Sequence, residues 1–126
     1  MIIGVALATV FANEPDARDL VEEMRASLAG AGGVLEVVEV EYEESVEDGE
    51  VVAEPEYRGA RAALDRSRER YDEGAETLAA FSPAAAREIE DSYERIAELM
   101  ADVESPEIIS AEVRSLTELL ESVAGR

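Results

Sequence analysis

The segment RYDEGAETLAAFSPAAAREIEDSYERIAELM, residues 70–100, contains two apolar stripes with helical spacing on either side of one break. A serine followed by a proline often starts a helix, because the serine side chain caps the first turn and proline needs no donor there. We therefore expect Ser82 to cap a new helix and Pro83 to open it. Two helices joined by so short a turn are expected to pack antiparallel. The apolar positions, spaced by threes, fours or their multiples, are Tyr71, Leu78, Ile89, Tyr93, Ile96 and Met100.

The same pattern continues on both sides of this segment. Towards the C-terminus, ESPE at residues 104–107 predicts another break and a further helix. Towards the N-terminus, Pro55 opens the helix that contains Tyr71. The apolar positions of these outer parts are Tyr57, Ala60, Leu64, Val103, Ile109, Val113, Leu116, Leu120 and Val123.

The residues from 13 to 33 predict a separate first helix. Asn13 or Asp16 can cap it, with Pro15 in its first turn. The glycine-rich run GAGG at residues 30–33 is expected to end it, because glycine tolerates the left-handed conformation that follows many helices. The apolar face of this predicted helix consists of Ala17, Leu20, Val21, Met24 and Leu28.

The stretch VLEVVEVEYEESV, residues 34–46, fits two interpretations. Val38, Val40 and Tyr42 alternate with glutamates, as in a strand. Leu35, Val38, Tyr42 and Val46 also share one helical face, and the neighbouring helices favour a helix. The turn signal Asp48-Gly49 ends it.

Together these patterns predict an all-α fold, an up-and-down bundle of about four to five antiparallel helices. We assign residues 13–126 to a single helical domain, because a chain of 126 residues supports one modest core. Residues 1–12 form an apolar segment without charge, and Val10-Phe11-Ala12 fits the small-residue rule of a signal cleavage site. The segment is shorter than a complete signal and lacks a basic region. We expect a signal remnant; a buried strand and the tail of a longer apolar helix are the alternatives.

The composition excludes several kinds of chemistry. The chain has 31 acidic and 11 basic residues, a formal net charge of -20, and no cysteine or histidine. Disulfides, thiolate zinc sites, cysteine nucleophiles and the usual catalytic triad are therefore excluded, and we expect no enzyme activity. No basic stripe is present to meet the phosphates of a nucleic acid. Strong salt would screen the repulsion among the acidic groups, so the charge indicates adaptation to molar salt.

Ten acidic residues lie between Glu36 and Glu56, and no basic residue interrupts them. If the helices before and after Asp48 form a hairpin, carboxylates and tyrosines of both helices come together. Such oxygen ligands suit a hard cation such as ferric iron. The predicted metal ligands are Tyr42, Glu44, Asp48, Glu56 and Tyr57. The alternative is that these residues only form a turn, a helix start and a salt-adapted surface.

Short residue pairs recur along the chain in a recognisable order. They are Glu41-Tyr42, Ser45-Val46, Asp48-Gly49, Val51-Val52, Glu56-Tyr57 and, in the opening segment, Ile89-Glu90. With these pairs, about residues 35–123 resemble the extracytoplasmic helical region of the high-affinity iron permease family, which favours a helix over residues 34–46. The permease's membrane helices, with their glutamate-bearing iron motifs, are absent from this sequence.

The resemblance implies a non-catalytic role in iron uptake, with iron as the bound cation. The chain would bind or relay cations through carboxylates, or regulate a permease. A membrane permease or a second copy of the chain is the expected partner, and the expected location is extracytoplasmic or membrane-associated. The alternative function is a halophilic helical interaction module without a metal site, which would dock through an apolar stripe such as residues 109–123. The alternative location is the cytoplasm of a high-salt organism.

Overall fold

The computed structural model describes residues 14–125. The expectations for residues 1–12, and for Asn13 as a cap, fall outside this range. The described residues form four helices and one short hairpin, which confirms the predicted all-α bundle. The elements are α1 (Glu14–Ser45), β1 (Val46–Glu47), β2 (Glu50–Val51), α2 (Glu54–Phe81), α3 (Pro83–Ala101) and α4 (Pro106–Ala124).

Helix α1 runs through the glycine-rich residues 30–33, so the predicted helix end at this run is wrong and the first two predicted helices are one. A glycine inside a helix costs about 1 kcal/mol relative to alanine. Burial on both sides of the run offsets this cost, because one face of α1 is fully buried against the rest of the bundle. The fully buried residues of this face around the glycines are Leu28, Ala31, Leu35 and Val38.

The connection between α1 and α2 is a tight β-hairpin. Val46 pairs with Val51, and Glu47 pairs with Glu50. Asp48 and Gly49 form the loop with positive φ values of 53° and 78°, the combination that a two-residue hairpin loop prefers and that Asp-Gly tolerates. The predicted break at Asp48-Gly49 is confirmed.

The two later breaks are also confirmed. Ser82 alone separates α2 from α3, and its Oγ accepts a hydrogen bond from the backbone N–H of Ala85 at 3.2 Å. Pro83 is the first residue of α3, and Pro106 is the first residue of α4. Both prolines lie where a helix needs no backbone donor.

The four helices form a closed ring. Each helix packs against its neighbours in the chain, and α1 also packs against α4, so the topology is up-and-down. The hairpin and the α3–α4 turn lie at one end, which we call the hairpin end; Ser82 lies at the opposite end. None of the helices described is both long and apolar enough to cross a membrane.

The predicted apolar stripes form the core, with one exception. Leu20 is 40 % exposed, although the sequence places it on the inner face of α1. Helix α4 ends beside Arg25, so the first turns of α1 extend past it and have less to pack against. Predicted positions that are only partly buried are Ala17, Val21, Tyr57, Val103 and Val123.

The polar side chains that form hydrogen bonds inside the core are Tyr42, Tyr71 and Tyr93 together with Ser45 and Ser67. Ser67 Oγ of α2 donates to the backbone carbonyl of Ala31 in α1 at 2.8 Å, and it lies 2.8 Å from the hydroxyl of Tyr93 in α3. These bonds join three helices at one level. Among the described residues, no buried side-chain nitrogen or oxygen lacks a hydrogen-bond partner.

Candidate functional site

The predicted metal ligands all lie at the hairpin end. Tyr42 and Glu44 belong to the last turn of α1, Asp48 lies in the hairpin loop, and Glu56 and Tyr57 belong to the first turn of α2. The hairpin therefore brings the two parts of the acidic stretch to one end of the bundle, as the sequence predicted. The surroundings of the five side chains differ.

Tyr42 is a fully buried core residue. Its hydroxyl donates to the backbone carbonyl of Glu104, in the α3–α4 turn, at 2.6 Å. Burial, with smaller contributions from the nearby Tyr57 and Glu104, raises the pKa of Tyr42 to about 12. The phenol therefore stays protonated at neutral pH and acts as a donor to the turn.

Tyr57 is half-buried beside Tyr42. The ring centroids of the two tyrosines are 6.2 Å apart. The Tyr57 hydroxyl donates to the backbone carbonyl of Met100 at 2.7 Å and accepts a hydrogen bond from Arg61 Nη1 at 3.2 Å. The Arg61 guanidinium also lies 5.8 Å from the ring centroid, a cation–π distance.

The two tyrosines hold a strained turn. Val103 has a φ of +55°, which is unusual for a β-branched residue. Its N–H donates to the carbonyl of Met100 at 2.9 Å, and the N–H of Glu104 donates to the carbonyl of Leu99 at 3.0 Å, so α3 ends in a Schellman motif with valine in the left-handed position. The tyrosine hydroxyls bond the carbonyls of Met100 and Glu104, on either side of Val103. They therefore fix the turn in its strained conformation.

The three predicted carboxylate ligands face outwards. Glu44 and Asp48 are exposed, and Glu56 is half-buried. Within residues 14–125, no group of three or more acidic side chains is arranged to hold a metal ion. The five-residue metal site stays a prediction, and any ferric ion bound there would first have to displace the tyrosine hydroxyls from their carbonyl acceptors.

Sequence reasoning missed the contribution of the α3–α4 turn and of Arg61. The acceptors for Tyr42 and Tyr57 are backbone carbonyls, which carry no signal in the sequence. Arg61 stands four residues after Tyr57, a spacing at which helical side chains meet. That spacing could have identified the arginine but not the turn.

Comparison with known proteins gives one family. A family model described as an iron permease-associated 4-helix bundle domain matches residues 17–126. No curated protein and no solved structure is significantly similar to the chain. The matched range includes all of α2, α3 and α4 and most of α1.

Proposed function

Since the chain belongs to the iron permease-associated 4-helix bundle family, we propose that it is a non-catalytic partner of an iron permease. The family match is the observation that carries this proposal. In this role the domain works beside the permease, outside the cytoplasm or at the membrane surface. The cytoplasm of a high-salt organism is the alternative location, and a second copy of the chain is the alternative partner.

We propose that the contribution of the domain to uptake is a weak relay of cations. Glu44, Glu47, Asp48 and Glu50 are exposed at the hairpin end, and Glu56 is half-buried there. None of these five carboxylates forms an ion pair within the described residues. Exposed carboxylates can bind iron directly through their oxygens without enclosing it, so the bound cation exchanges readily. Iron would be the cargo of this relay, held briefly and passed on.

An interaction module without a metal site is the second candidate. Two observations favour it: the outward-facing carboxylates, and the tyrosine hydroxyls already bonded to backbone carbonyls. The stripe at residues 109–123 is not the docking surface for such a module, because Ile109, Val113, Leu116 and Leu120 are buried in the bundle. A docking surface has to lie elsewhere on the molecule.

A metal titration separates the two candidates. Ferric and ferrous iron are titrated in molar NaCl against a competing chelator, with Ca²⁺ and Mg²⁺ as comparison ions. The relay predicts iron-selective binding, which the double substitution Asp48→Asn and Glu56→Gln weakens while the helical circular dichroism stays unchanged. The matched control is Glu88→Gln with Asp91→Asn, two exposed positions on α3.

Two results would contradict the relay. The first is weak binding that is equal for all four cations, which leaves a salt-adapted surface and favours the interaction module. The second is unchanged iron affinity in the Asp48→Asn, Glu56→Gln variant, which removes the hairpin end as the place of binding.

A further inference from the structure

Three shallow cavities adjoin one another along α1 and α4. The first, of about 140 Å³, lies beside Gly32, Gly33 and Thr117. The second, of about 280 Å³, lies beside Val40, and the third, of about 310 Å³, lies beside Ala111. Neighbouring cavities share Glu36 and Glu43 in their walls. They therefore form one α1–α4 groove from Gly32 to Glu43, a length of about 17 Å or three helical turns.

Uncharged residues line each of the three cavities, and we call them the floor of the α1–α4 groove; they include Ala29, Gly32, Gly33, Val40, Pro106 and Ala111. Gly32 and Gly33 contribute no side chain, and a Cβ added to Gly33 would meet no atom within 4 Å. Val40, which lines the groove, is 56 % exposed, and Val37 of the same helix is 44 % exposed. In a chain with 33 % charged residues, α1 carries no charge from Ala26 to Leu35. Between Ala26 and Leu35, helix α1 thus carries no charge on its outer face either.

The rim of the groove is acidic and largely unpaired. Glu39 forms an ion pair with Arg114 at 3.0 Å. The other rim carboxylates have no ion pair within the described residues, and they are Glu36, Glu43, Glu107 and Glu121. A second copy of this chain would bring further carboxylates against them, and like charges across an interface are unfavourable. A partner helix with an apolar stripe would complement the floor, and arginine or lysine residues flanking that stripe would complement the acidic rim.

We propose that the α1–α4 groove binds a helix of a partner protein, with an apolar stripe on the floor and basic residues at the rim. A groove about three turns long with a small-residue floor fits the way in which amphipathic helices dock. This inference rests on the proposed function for the claim that the domain has a protein partner. It is independent of the cation relay, which uses the hairpin loop rather than the groove.

A displayed library of helical peptides tests the proposal directly. Every peptide has the same stripe of alanine and leucine, and its flanking positions vary among Lys, Arg, Glu and Ser. Selection uses the whole protein at the lowest NaCl concentration at which circular dichroism shows it folded. We expect the selected peptides to carry basic residues at the flanks. A peptide pool without enrichment, or with neutral or acidic flanks, would overturn the proposal.

Variants locate the binding on the molecule. Gly33→Met fills the groove where space is open. We expect it to lower the affinity for a selected peptide at least about tenfold, as loss of a central contact does. The matched control Ala62→Met, at an exposed position of α2, is expected to have no effect. Glu36→Gln with Glu43→Gln is expected to weaken binding and reduce its salt dependence.

Three outcomes count against the groove. Equal weakening by Gly33→Met and Ala62→Met would indicate binding elsewhere or general attraction to an acidic protein. Unchanged binding in the Gly33→Met variant would exclude the groove. Sedimentation that shows self-association abolished by Gly33→Met would make a second copy the occupant. The iron titration and the peptide selection can give different answers. If iron binding is not selective but a selected peptide still binds in the groove, this inference holds and only the relay is contradicted.

Discussion

At the scale of single residues, the tyrosines act as donors that tie one helix to another. Tyr42 and Tyr57 bond the α3–α4 turn, and Tyr93 meets Ser67 between α2 and α3. A buried hydroxyl that keeps a partner contributes about 1 kcal/mol, whereas removing its partner costs more. The four tyrosines are the largest polar side chains that the core accommodates, and each hydroxyl reaches an acceptor.

Alkaline pH is expected to unfold the bundle through these residues. Burial raises the pKa of Tyr42 and of Tyr93 to about 12, above the ordinary value of 10.0. The folded protein therefore holds these protons more tightly than the unfolded chain does. Their contribution to stability is complete below about pH 10 and is lost as the pH rises towards 12.

Ultraviolet absorbance of tyrosinate, recorded with circular dichroism, measures this effect, and the chain has no tryptophan to interfere. Ionisation of Tyr42 and Tyr93 should coincide with loss of helix. The Tyr42→Phe variant should lose one tyrosine from that late phase and keep the rest of the titration. Ionisation of both residues near pH 10 in a fully helical protein would show that they are not buried donors.

At the scale of elements, one buried glycine brings the backbones of α1 and α2 close together. Gly74 is buried on α2, and a Cβ added to it would lie 3.1 Å from the Cα of Met24 in α1. That neighbour is backbone, which cannot rotate away as a side chain can. Gly33 on α1 is in the opposite situation, because a Cβ there meets open space.

The same substitution is therefore expected to have opposite effects at the two glycines. Gly74→Ala should lower the free energy of unfolding by about 1–3 kcal/mol, because the helices must move apart. Gly33→Ala should raise it by about 0.5–1 kcal/mol, because alanine is the better helix former. Urea unfolding followed by circular dichroism measures both variants. Stabilisation by Gly74→Ala would mean that the two helices separate at no cost.

At the scale of the whole molecule, the net charge of -20 dominates. The ion pairs between described residues lie mainly at exposed side chains, and such pairs contribute only about 0–1 kcal/mol each. They cannot offset the repulsion among so many carboxylates. The fold of the bundle is fixed by its core, but its stability in a given solution depends on how far that repulsion is screened.

The urea midpoint is expected to rise steeply with NaCl between about 0.1 and 2 M, because the screening length falls from about 10 Å to below 3 Å over this range. A variant with Glu43→Gln, Glu44→Gln and Glu47→Gln serves as the comparison. It should be more stable than the parent in low salt and should respond less to added NaCl. A midpoint that does not depend on salt, or an equal slope in the variant, would contradict adaptation by charge.

The helical stripes and three of the breaks between them are predictable from local residue preferences alone. Asp48-Gly49, Ser82-Pro83 and Ser105-Pro106 act through φ preferences and missing donors, which are properties of a few adjacent residues. The pairing of Tyr42 with Tyr57 was also predictable, because the hairpin between them is short.

The continuity of α1 and the surroundings of the candidate site depend on how the helices pack in three dimensions. The glycines at residues 30–33 favour a helix end locally, but burial of Leu28 and Leu35 against other helices outweighs that preference. The acceptor for Tyr42 is the carbonyl of Glu104, which stands 62 residues away in the chain and carries no side-chain signal. Long-range burial and backbone acceptors depend on which helices meet, and a pattern of adjacent residues does not contain that information.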